Sequence, residues 1–279
     1  MTLPEQEIIS ANVRAALAED IGSGDLTADL VDPARRLRVQ VISREAGVVA
    51  GRPWFDEVFR QLDPDIGIIW DVAEGGTTSP GSCLCRMTGP ARPILTGERT
   101  ALNFLQLLSG TATLTRSFVQ AMSGTGTRVL DTRKTLPGLR QAQKYAVRAG
   151  GGTNHRLGLF DGILIKENHI AAAGGIRQVV DQARRLHPDH PVEVEAETLD
   201  QLEQAAGAGA DRIMLDNFDL GMLTAAVREW GGRVELEASG GVDLDQAREI
   251  ARTGVDFVSV GEITKRVSPM DLSLRYEED

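Results

Sequence analysis

Six short aliphatic or β-branched runs in the second half of the chain constrain its fold more than any other feature. They are TRVLD (127–131), GILIK (162–166), PVEVEA (191–196), DRIMLD (211–216), RVELEA (233–238) and VDFVSV (255–260). Helical stretches lie between them at 138–149, 174–187, 198–208, 219–230 and 243–253, several closed by Gly. Strand–helix alternation of this kind means βα units with parallel strands. The last four runs recur about every 22 residues, a period that favours a barrel, with an open doubly wound sheet as the alternative. Six strands fall short of a complete barrel's set, so an incomplete or irregular one is expected.

The first hundred residues follow another pattern. Ile8, Ile9, Val13, Ala16 and Leu17 have helical spacing over 5–20, and IGSGD (21–25) ends that helix. Leu37, Val39 and Val41 alternate as a strand does, Phe55, Val58, Phe59 and Leu62 mark a helix at 52–62, and strand-like pieces follow at 66–70 and 82–88. Elements that do not alternate strictly suggest a small α+β layer. Residues 99–122 read as helix with Arg99 at its opening, where a cation opposes the helix dipole. Either Glu98 neutralises Arg99, or Arg99 reaches for a ligand.

The 279 residues carry a formal charge of −10, and the pI near 5.0 argues against general nucleic-acid binding. Yet between Arg128 and Lys166 eight Lys and Arg face two acids, a net of +6 that leaves −16 for the rest. Such an island is either a solvated helix face, as for Arg140, Lys144 and Arg148, or a site for small anions. No apolar run is long enough to cross a membrane, and MTLPEQEIIS lacks the features of a secretory signal. Cys83 and Cys85, the only cysteines, are too few for a disulfide scaffold or a zinc site and suit a reducing cytoplasm. P-loop, GxGxxG and HExxH motifs are missing.

In a βα barrel the loops after the strands form the active-site face. Here the runs end on Asp131-Thr-Arg133-Lys134, Lys166-Glu-Asn-His169, Glu195-Ala-Glu197, Asp216-Asn217, Glu237-Ala-Ser239-Gly240-Gly241 and Gly261. Ionisable groups at the same end of so many apolar strands are costly to bury unpaired and point to a functional rim. Arg133, Lys134 and Lys166 suit an anionic substrate, Arg by bidentate hydrogen bonds to carboxylate and Lys as a point charge on phosphate. Glu195, Asp216 and Glu237 suit Mg²⁺, sugar hydroxyls or a developing positive charge. Together they point to a phosphorylated sugar plus an acid. Gly150-Gly151-Gly152 before Thr153-Asn154-His155-Arg156 is either a flexible connection or close backbone packing that aims two donors at one place. Ser239-Gly240-Gly241 and Gly261 stand where barrel rims bind phosphate through backbone N–H groups, although tight turns also explain them. His169 could orient a neighbouring side chain, while His187 and His190 lie in a polar loop.

GERTALNFLQLLSG (97–110), DTRKTLPGLR (131–140), GGGTNHRLGLFDGILIKENHI (150–170), EVEAET (193–198), MLDNF (214–218) and EASGG (237–241) resemble the quinolinate phosphoribosyltransferase family. GSGDLT (22–27) and SREAGVVAG (43–51) fit as well, so the likeness spans nearly the whole chain. The resemblance implies an α/β fold, an incomplete (β/α) barrel over 111–267 with an N-terminal α+β open-sandwich domain over 1–110, onto which the tail 268–279 packs. It implies a cytoplasmic, decarboxylating transfer in NAD biosynthesis. Quinolinate and 5-phosphoribosyl 1-pyrophosphate give nicotinate mononucleotide, CO₂ and pyrophosphate with Mg²⁺ as cofactor. Catalytic roles fall to Lys134, Lys166, Glu195 and Asp216, the two carboxylates also serving as metal ligands. Arg133, His155, Arg156 and Lys166 would hold the quinolinate carboxylates, and Lys134 would face the pyrophosphate-bearing sugar. Ser239, Gly240, Gly241 and Gly261 would hold the 5-phosphate. A homodimer, in some members a larger ring such as a hexamer, would bring Arg99 of one subunit into its neighbour's site. No nucleic acid or membrane partner is implied.

Glu262-Ile263 after Gly261 departs from the small or apolar residues usual in the family. Three rival readings remain: a molybdenum-transport-associated paralogue, an aldolase-like barrel with Lys166 or Lys134 as Schiff-base amine, and a nucleotide-sensing scaffold. Retention of Lys166 argues against the first. The mixed-charge, phosphate-style surroundings of both lysines argue against the second, and the basic island alone supports the third.

Overall fold

The computed structural model describes residues 3–277, so the outermost residues of the expected 1–110 domain and 268–279 tail lie outside the described region. In chain order the strands are β1 (Arg36–Ser43), β2 (Gly47–Val48), β3 (Gly67–Trp70), β4 (Thr77–Thr78), β5 (Cys83–Pro90), β6 (Arg128–Leu130), β7 (Ile163–Ile165), β8 (Val192–Ala196), β9 (Arg212–Asp216), β10 (Glu235–Ser239), β11 (Phe257–Ser259) and β12 (Leu272–Tyr276). The helices are α1 (Gln6–Ile21), α2 (Arg52–Leu62), α3 (Ala91–Ala121), α4 (Arg140–Ala149), α5 (Glu167–Ala173), α6 (Ile176–Leu186), α7 (Leu199–Gly207), α8 (Leu220–Trp230), α9 (Leu244–Arg252) and α10 (Glu262–Lys265). They form two compact units. One holds the chain up to Arg116, Thr135–Gly151 and the part from Arg266 onward; the other holds Ser117–Lys134 and Gly152–Lys265.

The first unit is an α+β layer around an antiparallel sheet of order β12-β1-β5-β3. Val39, Val41 and Ser43 alternate along β1 and are buried, while the residues between them are not, so the sheet buries one face. Helix α1 adds Ile9, Val13 and Leu17 to that core, and α2 adds Trp54, Phe55, Val58 and Phe59. Rings close the space: Phe55 lies 5.2 Å from both Phe59 and Trp70, and Trp54 lies 5.4 Å from Tyr145 on α4. The returning strand β12 pairs with β1, Val39 opposite Tyr276. Cys83 and Cys85 on β5 are free thiols.

Helix α3 begins well before the expected position. Pro93 falls in its first turn, where the missing N–H has no intrahelical partner to lose. Gly97 is kept by packing, since a Cβ there would stand 2.7 Å from Leu62 Cδ1 and 2.8 Å from Phe59 Cε1. Gly110 meets Ser268, whose carbonyl oxygen would lie 2.1 Å from a Cβ. Arg99 is therefore an exposed residue inside a long helix. The conflict with the helix dipole expected of it does not arise, because the dipole's charge is confined to the terminal turn.

The second unit is an α+β-distinct, α/β structure: an incomplete barrel whose six strands run in the order β6-β11-β10-β9-β8-β7, every pair parallel. All six expected runs are strands. Polar residues start the helices that follow them. Thr198 Oγ1 accepts from Gln201 N–H at 3.2 Å, Asp219 Oδ1 from Met222 N–H at 2.8 Å, and Asp243 Oδ1 from Gln246 N–H at 2.8 Å. Each satisfies a donor that the helix leaves open. Strands β6 and β7 are the two ends of the sheet, and among the described residues a single bridge, Leu130 to Thr153, continues the pairing beyond β6.

Candidate active site in the barrel mouth

Side chains alternate along a strand, so the register decides which residues share the barrel interior. Leu164 lies opposite Glu193, Glu195 and Glu237 both lie opposite Met214, Ser239 lies opposite Asp216, and Glu237 lies opposite Phe257. At the N-terminal end, Phe257 sits between the guanidinium groups of Arg128 and Arg212, at 4.2 and 4.1 Å. Arg212 is held in turn by Glu235 at 2.8 Å. This cation–π stack closes the floor.

Above the floor opens a cavity of about 340 Å³. Arg133, Lys134, Arg156 and Lys166 line it together with His155, Ser239 and Ser259. Four cations from three chain segments around one small volume are what a polyanion requires. Lys166, half-exposed, is paired with the largely buried Glu195. Its own backbone N–H donates to His169 Nδ1 at 2.9 Å, so His169 fixes the start of α5. Asp216 ends β9, and its Oδ2 accepts from Asn217 Nδ2 at 2.8 Å.

Gly240 has φ +113°, and a Cβ there would meet Asn217 Oδ1 at 2.3 Å, so only glycine fits. Gly261 stands beside Lys134, whose Cδ would lie 3.1 Å from a Cβ. Ile263 of the unusual Glu262-Ile263 pair is fully buried. Arg99 belongs to the other unit.

Two expected rim residues, Asp131 and Glu237, are placed differently, both fully buried. Glu237 is fully buried at the cavity floor because it stands two residues before the end of β10. Glu193, which sequence reasoning passed over, faces it. The Glu193 and Glu195 alternation on β8 was the signal that both point inward. Glu193 Oε2 lies 2.9 Å from His155 Nε2, and Glu237 Oε2 lies 3.6 Å from the same nitrogen and 3.6 Å from Arg212 Nη1. Burial, then the charge of Glu193, pushes Glu237 up to about 8, against the pull of His155 and Arg212. Burial likewise raises Glu193 above the ordinary carboxylate range. The ligand atoms of His155, Glu193 and Glu237 lie within 4.8 Å of one another, close enough to surround a divalent ion.

His155 Nδ1 accepts the Arg156 backbone N–H at 2.8 Å, which leaves the ring proton on Nε2, facing Glu193. Arg156 Nη1 donates to Gly162 O at 3.1 Å. Burial, then the nearby charge of Arg133, lowers the Arg156 guanidinium from its ordinary value. The charges of Glu193 and Asp161 act on Arg156 in the opposite direction.

Fold and site define an α/β-barrel protein whose mouth gathers four cations around one small cavity, with carboxylates on the neighbouring strands. The description "Quinolinate phosphoribosyl transferase, C-terminal domain" matches residues 111–275, and the corresponding N-terminal domain matches 25–109. A probable nicotinate-nucleotide pyrophosphorylase (carboxylating) of Bacillus subtilis is 41% identical over 258 residues, covering 92% of this chain and 89% of its own. The nicotinate-nucleotide pyrophosphorylase (carboxylating) of Mycobacterium leprae is 41% identical, with 94% and 95% covered. The solved structure of the Francisella tularensis nicotinate-nucleotide pyrophosphorylase matches with a TM-score of 0.96 at 47% identity, covering 99% of this chain and 98% of that one. The chain belongs to the quinolinate phosphoribosyltransferase family.

Proposed function

We propose that this chain converts quinolinate and 5-phosphoribosyl 1-pyrophosphate into nicotinate mononucleotide, CO₂ and pyrophosphate. The observation that carries the reading is the convergence of Arg133, Arg156 and Lys166 on one cavity, with carboxylates on the neighbouring strands. Quinolinate bears two adjacent carboxylates, and two guanidinium groups with an ammonium match that charge. Held there, the ring nitrogen is positioned to bond to ribose C1 as the bond to pyrophosphate breaks and its electron pair leaves with the pyrophosphate. Loss of the 2-carboxylate as CO₂ then leaves an electron pair on the ring carbon, which takes up a proton.

Glu195 and Asp216 face the ribose, where negative charge stabilises the oxocarbenium-like transition state. Binding of substrate to Lys166 competes with the Lys166–Glu195 pair, so the ammonium and the carboxylate are released to opposite partners. His155 lines the wall and, through Nδ1, sets the Arg156 backbone. Lys134, next to Gly261, meets the pyrophosphate-bearing sugar. Ser239, Gly240, Gly241 and Gly261 leave room for the 5-phosphate beside backbone N–H groups.

The carboxylates Glu195 and Asp216, neither fully buried, suit Mg²⁺, which takes oxygen ligands and retains water. The His155, Glu193 and Glu237 cluster, with an imidazole among its donors, suits it less. When bound, Mg²⁺ supplies positive charge that neutralises the departing pyrophosphate. The protein acts as a homodimer, or a hexamer built from such dimers, with the exposed Arg99 of one subunit entering the site of its partner. The cytoplasm is its compartment, in keeping with two unpaired cysteines. No helix among the described residues is long and apolar enough to cross a membrane.

Purified protein given quinolinate, phosphoribosyl pyrophosphate and Mg²⁺ should release CO₂ and form nicotinate mononucleotide. Turnover of nicotinate with none of quinolinate would overturn the substrate assignment.

A further inference from the structure

We propose that Asp131 is the positioning residue that sets the separation of the Arg133 and Arg156 guanidinium groups, and through it the preference for two adjacent carboxylates over one. The inference rests on the reading of the cavity as a quinolinate site.

Asp131 is the first residue after β6 and is fully buried. A buried carboxylate is costly unless hydrogen bonds are directed at it. Here Oδ1 accepts the His155 backbone N–H at 2.9 Å and Oδ2 accepts Asn154 Nδ2 at 2.5 Å. Its own N–H donates to Thr153 O at 3.2 Å, and Thr153 N–H donates to Val129 O at 2.8 Å. The chain leaving Asp131 therefore runs side by side with the chain entering His155, tied by backbone at one level and by the carboxylate at the next.

Two residues beyond Asp131 comes Arg133, and one residue beyond His155 comes Arg156. Both guanidinium groups line the cavity. Both carry positive charge, and among the described residues the strand pairing between their two segments ends at the Leu130–Thr153 bridge. The carboxylate of Asp131 supplies the tie at that point. Its reach is short, so the spacing it imposes is narrow, and narrow spacing is what distinguishes neighbouring carboxylates from a single one. Gly162 O restrains the far end of Arg156, and His155 Nδ1 restrains its backbone. Asp131 is the member of this set that joins the two cation-bearing segments. Nothing requires it to touch substrate, and its role is separate from theirs.

The test is calorimetric titration of the free protein with quinolinate and with nicotinate, which shares the ring and carries one carboxylate. Asp131→Ala removes both acceptors. It should cut the preference for quinolinate over nicotinate by about tenfold, while nicotinate affinity changes by less than about threefold. Asp131→Asn keeps an acceptor for the His155 N–H and should retain most of the preference. Asn154→Ala removes one of the two side-chain ties and should lose about threefold. This last variant decides the matter if Asp131→Ala does not fold. An unchanged preference in folded Asn154→Ala and Asp131→Ala, or an equal fall in affinity for both ligands, would overturn the assignment. Failure of the wild-type protein to prefer quinolinate would instead sink the underlying reading of the site, and this inference with it.

Discussion

Glu237→Gln asks whether the folded protein keeps a proton that the unfolded chain gives up. Glu237 is fully buried and faces Glu193, His155, Arg212 and Ser259. Burial, then Glu193, moves it from 4.5 to about 8. A carboxyl with a raised folded-state value stabilises the fold fully below its unfolded value. That contribution declines as pH climbs toward about 8 and is gone above it. One retained proton gives a slope of about 1.4 kcal/mol per pH unit, so wild-type stability should fall by about 3 kcal/mol from this group between about pH 5.5 and 7.5. Gln has the shape of the protonated acid and is neutral throughout. The variant should therefore gain on wild type over that interval. For a chain of this length about 1 kcal/mol moves Tm by about 2–4 °C, so the Tm difference should change by about 5 °C or more. Thermal unfolding followed by circular dichroism at half-unit pH steps reads it directly. A difference that stays flat across the interval would show that Glu237 is ionised in the folded state, and the account of the barrel floor would be wrong.

Two helix glycines should respond oppositely to alanine. Gly110→Ala places a Cβ against the Ser268 carbonyl oxygen and should cost about 1–3 kcal/mol despite the better helix propensity, whereas Gly207→Ala meets nothing closer than 3.8 Å and should be neutral or stabilise by up to about 1 kcal/mol, both read from chemical denaturation. Arg99→Ala and Lys166→Ala proteins, each expected to be nearly inactive, should recover part of the activity when mixed, because a mixed dimer regains one intact site. If heterodimers form and the mixture stays inactive, the shared-site reading fails.

Most of the barrel was legible in the sequence because its signals are local. Short β-branched runs and the helical spacing between them act within a few residues. The start of α3 was not legible, because Pro93 and Gly97 look like breakers until the first-turn position of one and the packing of the other against Phe59 and Leu62 are known. The short helices α5 and α10 carry too few residues for a period to show. In the site, the converging cations could be read from chain position alone. Whether Glu237 faces water or lies sealed beneath depends on how far each strand extends, which alternation does not encode. The partnership of Glu193 with His155 joins segments far apart in sequence, so no local pattern announces it.

The seam between β6 and β7 divides the charges of the mouth. Arg133 and Lys134 follow β6, His155 and Arg156 follow the bridge at Thr153, and Lys166 follows β7, so the basic groups sit on the free margins of the sheet. Glu193, Glu195, Asp216 and Glu237 belong to β8, β9 and β10, which are paired on both sides. Strands β6 and β7, at the two ends of the strand order, share no interstrand hydrogen bonds with each other. The acidic residues thus stand where the ladder is continuous and the basic residues where it stops, a division that a fully closed ring of strands, having no border, could not make.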